Sequence, residues 1–147
     1  MSIKKSEEVL AEVHRNCLYA LESISDILPE TDDTELKEEL LRQHEEYERI
    51  SSQAALLARE RSIELKNPSP IKKAMMWSGI KMNTMKDDSR AHIAEMMVQG
   101  TVMGVTALRA SLGEMSEAGA DEEIKKLAEE LLKTEEKFEK KWKELIA

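Results

Sequence analysis

Apolar side chains recur three or four positions apart along most of the chain, which is the period of one helix face. The first stripe is Leu10, Val13, Cys17, Leu21, Ile24 and Leu28. It predicts a helix over about 6–28, with Ser6 as its cap, Glu7 and Glu8 at the positive end of its dipole, and Pro29 as its stop. The second stripe is Leu36, Leu40, Tyr47, Ile50, Ala54, Leu57, Ala58 and Leu65, a helix over about 34–66. Asp33 or Thr34 caps its start, and Asn67-Pro68-Ser69-Pro70 ends it.

The next stretch is harder to divide. Ile71, Met75, Ser78, Met82, Met85, Ser89, Ile93, Met96, Gly100, Met103, Ala107 and Ser111 keep a single helical face. One helix over 71–115 would be several times the average length of about 11–12 residues. Lys86-Asp87-Asp88-Ser89 is a capping signal, so the favoured division is a crossover helix over about 70–86 and a third helix over about 88–116. The last helix, about 121–146, follows Glu117-Ala118-Gly119-Ala120 with Asp121 as its cap. Its stripe is Ile124, Leu127, Leu131, Phe138, Trp142 and Leu145. Elsewhere on it, Glu122/Lys126, Glu129/Lys133, Glu136/Lys140 and Glu139/Lys143 are i,i+4 pairs with the acid first, a solvated face.

Four one-sided helices must bury their stripes against one another. The connections between the first and second helices and between the third and fourth are short, so each pair reads as an antiparallel hairpin. The link between the second and third helices is long enough to travel the length of a bundle. The expectation is one all-α domain over 1–147, an up-down-down-up four-helix bundle with a helical crossover.

Composition agrees with helices: among 147 residues there are 5 Gly, 3 Pro and 3% aromatic residues. A net charge of −8 argues against a nucleic-acid partner, which would need a basic surface. Cys17 is the one cysteine, so no internal disulfide forms, and the chain fits a reducing cytoplasm. No apolar run suits a membrane span, and MSIKKSEEVL lacks the apolar core of a signal peptide.

Several local motifs follow one another in a suggestive order. They are Arg15-Asn16-Cys17-Leu18-Tyr19-Ala20, then Glu35-Leu36-Lys37 with Gln43-His44, then Trp77 with Lys81, then Gln99-Gly100-Thr101. In that order the chain resembles, over most of 8–145, a bacterial ferritin-like family of unknown function that is distantly related to rubrerythrins. In active ferritin-like proteins the resemblance implies a carboxylate-bridged di-iron centre, built from a Glu on each of two helices and Glu-x-x-His on each of the other two. This chain departs from that pattern. Leu41 stands three before His44, the fourth helix has no histidine, and Thr101 and Leu108 stand where an inward Glu and a Tyr are implied. Glu12 and Tyr19 keep the family's Glu-x6-Tyr spacing but project away from the first stripe. The expectation is no di-iron centre.

Other polar residues invite chemistry. Glu135 falls between Leu131 and Phe138 on the fourth stripe, where a charge is expensive unless paired. With His14, Gln43 and Tyr47 it predicts a buried polar network, in which Glu135 bonds Tyr47 or His14. His14, His44, His92 and Glu135 are also weak metal candidates, the alternative cofactor being iron or another transition metal. His92 and Glu95 read as an exposed pair, and His44 as a surface residue. The 9 methionines read as packing rather than as Cu(I) ligands. Gly100 and Gly104, with Ala107 and Ser111, mark a close helix crossing. Cys17, inside a core stripe, reads as an inert thiol.

No constellation for nucleophilic catalysis or phosphate binding is present in the sequence, so the expected catalytic and cofactor-binding sets are empty. The expected function is a non-enzymatic module that associates with itself or with another protein. Met76, Trp77 and Ile80 lie on a second apolar face of the crossover, off its Ile71–Met75–Met82–Met85 stripe, and are the expected homodimer interface. The alternative is a metal-binding protein or divergent ferritin-like oxidoreductase with a Glu/His site.

Overall fold

The computed structural model describes residues 2–66, 89–115 and 120–146. These form four helices: α1 (Ser2–Ile27), α2 (Thr34–Glu60), α3 (Arg90–Glu114) and α4 (Glu122–Ile146). A 3-10 turn, Leu28–Glu30, separates the first two. There is no strand among the described residues, and the architecture is compatible with a four-helix bundle. No described helix is long and apolar enough to cross a membrane.

Short polar side chains set three of the helix starts. Asp33 Oδ1 accepts the Leu36 amide at 3.1 Å, Ser89 Oγ accepts that of His92 at 3.3 Å, and Asp121 Oδ1 accepts those of Glu123 and Ile124 at 3.0 and 3.2 Å. Each satisfies amides that the first turn leaves without a carbonyl partner. Ser6 has a different place from the cap expected of it. It lies within α1, buried, and its hydroxyl accepts the Asp121 amide at 3.1 Å, so it ties α1 to the start of α4.

α2 ends at Glu60, several residues before the prolines expected to stop it. Ser62 adopts a left-handed φ of 54°. The Ile63 amide then reaches the Ala58 carbonyl at 2.8 Å and the Ser62 amide that of Arg59 at 3.3 Å. These are the two bonds of a Schellman cap, closed by a serine where glycine is usual. Ile63 packs against the core just beyond it.

The core joins all four helices. Leu10, Cys17, Ile24, Leu36, Leu40, Ile50, Ile93, Leu108, Ile124, Leu131 and Trp142 are fully buried, and each large aliphatic side chain so placed contributes about 1.5–3 kcal/mol. α1 and α4 each pack against the other three helices, while α2 and α3 make little contact with each other. α2 and α4 run antiparallel, as the pairs Gln43/Trp142, Tyr47/Glu135 and Arg49/Glu130 require. At one end, Arg90 at the start of α3 forms a two-bond ion pair with Asp33 at 2.7 and 2.9 Å. At the other, Arg61 pairs with Asp121, and with Glu123 at 3.0 Å.

The buried face of α3 differs from the expected stripe. Ile93, Ala94, Met96, Met97, Thr101, Val105 and Leu108 are buried, whereas Gly100 is exposed and Met103 is 69% exposed. The face turns by about one residue, or roughly 100°, at its middle. Apolar and uncharged residues surround this part of α3, so hydrophobic period alone does not choose the side. Close contact at Gly104 does.

Candidate functional site

The face of α4 that buries Leu131 and Phe138 buries the residue between them. Glu135 is 1% exposed, at the middle of the bundle. From α2, the Tyr47 hydroxyl donates to its Oε2 at 2.9 Å. The Tyr47 ring meets that of Phe138 at 5.4 Å between centroids, tilted by 60°, a favourable aromatic contact that holds the phenol on line. Glu135 Oε1 has no hydrogen-bond partner among the described residues.

α1 and α3 complete the surroundings. Asn16 Nδ2 donates to the Gly104 carbonyl at 2.9 Å. A Cβ on residue 104 would stand 2.5 Å from Asn16 Oδ1 and 3.0 Å from Glu135 Oε2. Glycine thus lets an amide from α1 and a carboxyl from α4 reach the backbone of α3. Cys17, one position along α1, is buried and close enough to feel Glu135.

A second set of bonds runs outward from the core. The Trp142 indole donates to Gln43 Oε1 at 3.0 Å, and Gln43 Nε2 donates to Glu39 Oε2 at 2.7 Å. Glu39, 7% exposed, is neutralised by Arg42 through bonds of 3.2 and 2.5 Å. The Arg42 guanidinium lies 5.8 Å from the Phe138 ring centroid, within cation–π reach. The Trp142–Gln43 bond joins α4 to α2, and Glu39 in turn accepts from Gln43, so this chain of contacts registers α2 against α4.

The electrostatics make the centre neutral. Burial lifts the Glu135 carboxyl to about 8; the Tyr47 hydrogen bond pulls it back and the Glu12 charge adds to the rise. Burial, and then the proximity of Glu135, push both the Tyr47 phenol and the Cys17 thiol well up. At neutral pH all three hold their protons. A thiol kept from ionising is a poor nucleophile and a poor metal ligand, so the cluster is suited to packing and to proton binding.

The structure brings together part of the expected network. Tyr47 and Glu135 bond directly, whereas Gln43 bonds Trp142 and Glu39 instead. His14 makes no bond to Glu135; its Nδ1 is buried without a partner among the described residues. Burial and the Arg15 charge push its imidazole below the ordinary histidine range. His44 bonds Glu48 at 2.9 Å and lies 3.4 Å from Ser25 Oγ. The exposed His92–Glu95 pair is absent, because His92 is half-buried with an unbonded buried Nε2 while Glu95 faces solvent. Among the described residues no three His, Cys, Asp or Glu side chains converge as a metal ligand set. Glu12 departs from its expected place. Its side chain is only 14% exposed, it pairs with Arg15 at 2.7 Å, and its charge reaches Glu135. Thr101 is buried and bonds back to the Met97 carbonyl at 2.6 Å. Met76, Trp77 and Ile80 lie outside the described residues.

Sequence reasoning passed over Asn16, Glu39 and Arg42 as partners in this centre; it marked Gly104 for a close helix crossing, which the structure has, and Gly100 for the same, which meets nothing within 4 Å. One signal was present: Glu39, Gln43 and Tyr47 follow each other at i,i+4, so a polar line runs along the face that carries Leu36 and Leu40. Asn16 and Gly104 are separated by 88 residues, and nothing in either local sequence announces the other. Comparison with protein-family models, characterised proteins and solved structures gives no match to this chain.

Proposed function

We propose that this chain is a non-enzymatic helical module that works by protein contact, its partner being a second copy of itself. The observation that carries the proposal is the outer face of α3. From Met96 to Leu108 the helix has no charged residue, and its solvent side presents Gln99, Gly100, Val102, Met103 and Thr106. Val102 is 40% and Met103 69% exposed. Interface centres are depleted in charge and enriched in adaptable side chains such as Met.

The flank of this face favours a second copy over another partner. Beside Val102 and Thr106 runs a groove lined by Arg109, Glu136, Glu139, Lys140 and Lys143. An uncharged centre rimmed by both signs is self-complementary across a two-fold axis, which an isologous dimer requires. The chain's net charge of −8 opposes association by its acidic faces.

The same proposal takes the fold as ferritin-like, up-down-down-up, with a crossover between α2 and α3. Its support is the pair of end clamps. Arg90 meets Asp33 and Arg61 meets Asp121, so α3 starts beside the start of α2, and a return path of about 40 Å, the length of a 27-residue helix, separates the end of α2 from it.

Light scattering over a range of concentrations tests the functional reading. The wild type is expected at twice the chain mass, and Met103→Glu at the mass of one folded chain with unchanged helical circular dichroism. A wild type that stays at 16.8 kDa overturns the proposal.

A further inference from the structure

A carboxyl in a dry core has few ways to exist. It can be paired with a cation, surrounded by donors, or neutral. Among the described residues Glu135 has neither of the first two. Its one bonded donor is the Tyr47 hydroxyl, and Oε1 has no partner among the described residues. The nearby amide is committed elsewhere, since Asn16 Nδ2 donates to the Gly104 carbonyl. The charged and titratable groups around it give no relief. From α1 come Glu12, an anion already paired with Arg15, and Cys17, a thiol held neutral. From α2 comes the phenol of Tyr47. The buried face of α3 has no titratable residue at all.

We propose that Glu135 is a proton-operated latch at the meeting point of the four helices: the bundle closes around the neutral acid, and loss of its proton weakens the packing of α4 against α1, α2 and α3. The geometry gives the latch its reach, because the one carboxyl touches the contact of α1 with α3 through Asn16 and Gly104 and the contact of α2 with α4 through Tyr47.

The pH dependence follows from linkage. Below the ordinary carboxyl value of 4.5 the folded and unfolded chains both hold the proton, and above about 8 both have lost it. In between, the fold binds a proton that the unfolded chain does not. The ratio of folded to unfolded chain therefore falls as pH rises, by about tenfold per pH unit, and levels off above the folded value.

Two measurements decide it. The first is the infrared carbonyl band of a protonated carboxylic acid, read at about pH 6, where ordinary carboxylates are ionised. The wild type should show one such band that vanishes by about pH 9.5, and Glu135→Gln should lack it. No band in the wild type at the lower pH overturns the proposal. The second is urea denaturation across the same range. Glu135→Gln keeps the size and neutrality of the acid, so it should gain on the wild type as pH rises and lose that advantage towards pH 4.5. A difference that stays constant with pH overturns the latch. Should Glu135→Gln fail to fold, Tyr47→Phe serves in its place: removing the donor that favours the carboxylate should move the band's disappearance to higher pH, and an unmoved or lowered transition overturns the proposal.

Discussion

α3 and α4 are neighbours of equal length, 25 residues each, and they are held in opposite ways. α4 separates its faces sharply: Ile124, Leu127, Leu131, Phe138, Trp142 and Leu145 point inward, and the rest is dominated by Glu and Lys. α3 has apolar or uncharged residues nearly all round, and its inward face is defined by where its neighbours come closest. A sharply amphipathic helix can bury its stripe in one orientation only. A uniformly uncharged one is oriented by shape, so its fit rests on a few contacts such as Gly104 against Asn16 and Glu135. In the first case stability comes from buried area, and in the second from the absence of a single methyl group.

The strongest break in that comparison is on the α4 side. Trp142→Ala removes the largest fully buried side chain and leaves Gln43 Oε1 without its indole donor. A buried Trp→Ala costs about 3–5 kcal/mol, a large share of the 5–15 kcal/mol typical of a domain. Urea denaturation should show a midpoint far below that of the wild type, with α4 losing amide protection first. A loss under about 0.5 kcal/mol, the level of an ordinary surface change, would mean that buried area is not what holds α4.

On the α3 side the expected break is smaller and depends on shape. Gly104→Ala should raise the intrinsic helix propensity by about 1 kcal/mol, and yet its Cβ would stand 2.5 Å from Asn16 Oδ1 and 3.0 Å from Glu135 Oε2. Overpacking of this kind costs about 1–3 kcal/mol, so the net expectation is a loss of up to about 2 kcal/mol. The Asn16→Ala/Gly104→Ala double variant should be more stable than the sum of the single losses implies, because the clash needs both partners. Strict additivity would show that the two residues do not meet.

The same contrast explains what was legible beforehand. The stripes of α1, α2 and α4 can be read from period alone, and so can the anomaly of Glu135, because a carboxylate between Leu131 and Phe138 stands out against a clean background. The inward face of α3 could not be read that way. Gly100 and Met103 fit the expected period as well as Thr101 and Val105 do, and only tertiary contact separates them. The early end of α2 was hidden for another reason: Ser62 takes a conformation in which glycine is the usual signal. Within the centre, Tyr47 and Glu135 were legible as two polar residues on facing stripes. Asn16 was not, and Gly104 was legible only as a close crossing without its partner, since their bond is made by the packing of α1 on α3.

Gly100→Ala gives the smallest effect and sharpens the comparison most, because it repeats the Gly104 substitution one turn away with the opposite sign. Gly100 lies in the same helix, and a Cβ built on it meets nothing within 4 Å. Without a clash, what remains is the backbone entropy that glycine loses on folding, worth about 0.5–1 kcal/mol in favour of alanine. Measured by urea denaturation at a concentration low enough to keep the chains apart, Gly100→Ala should be more stable than the wild type. At higher concentration the substitution reads the outer face as well. If a second copy approaches α3 closely there, the added methyl should weaken association while strengthening the single chain. Two glycines four residues apart that both lose stability on gaining a methyl would place α3 in a different rotation, with Gly100 inside the bundle.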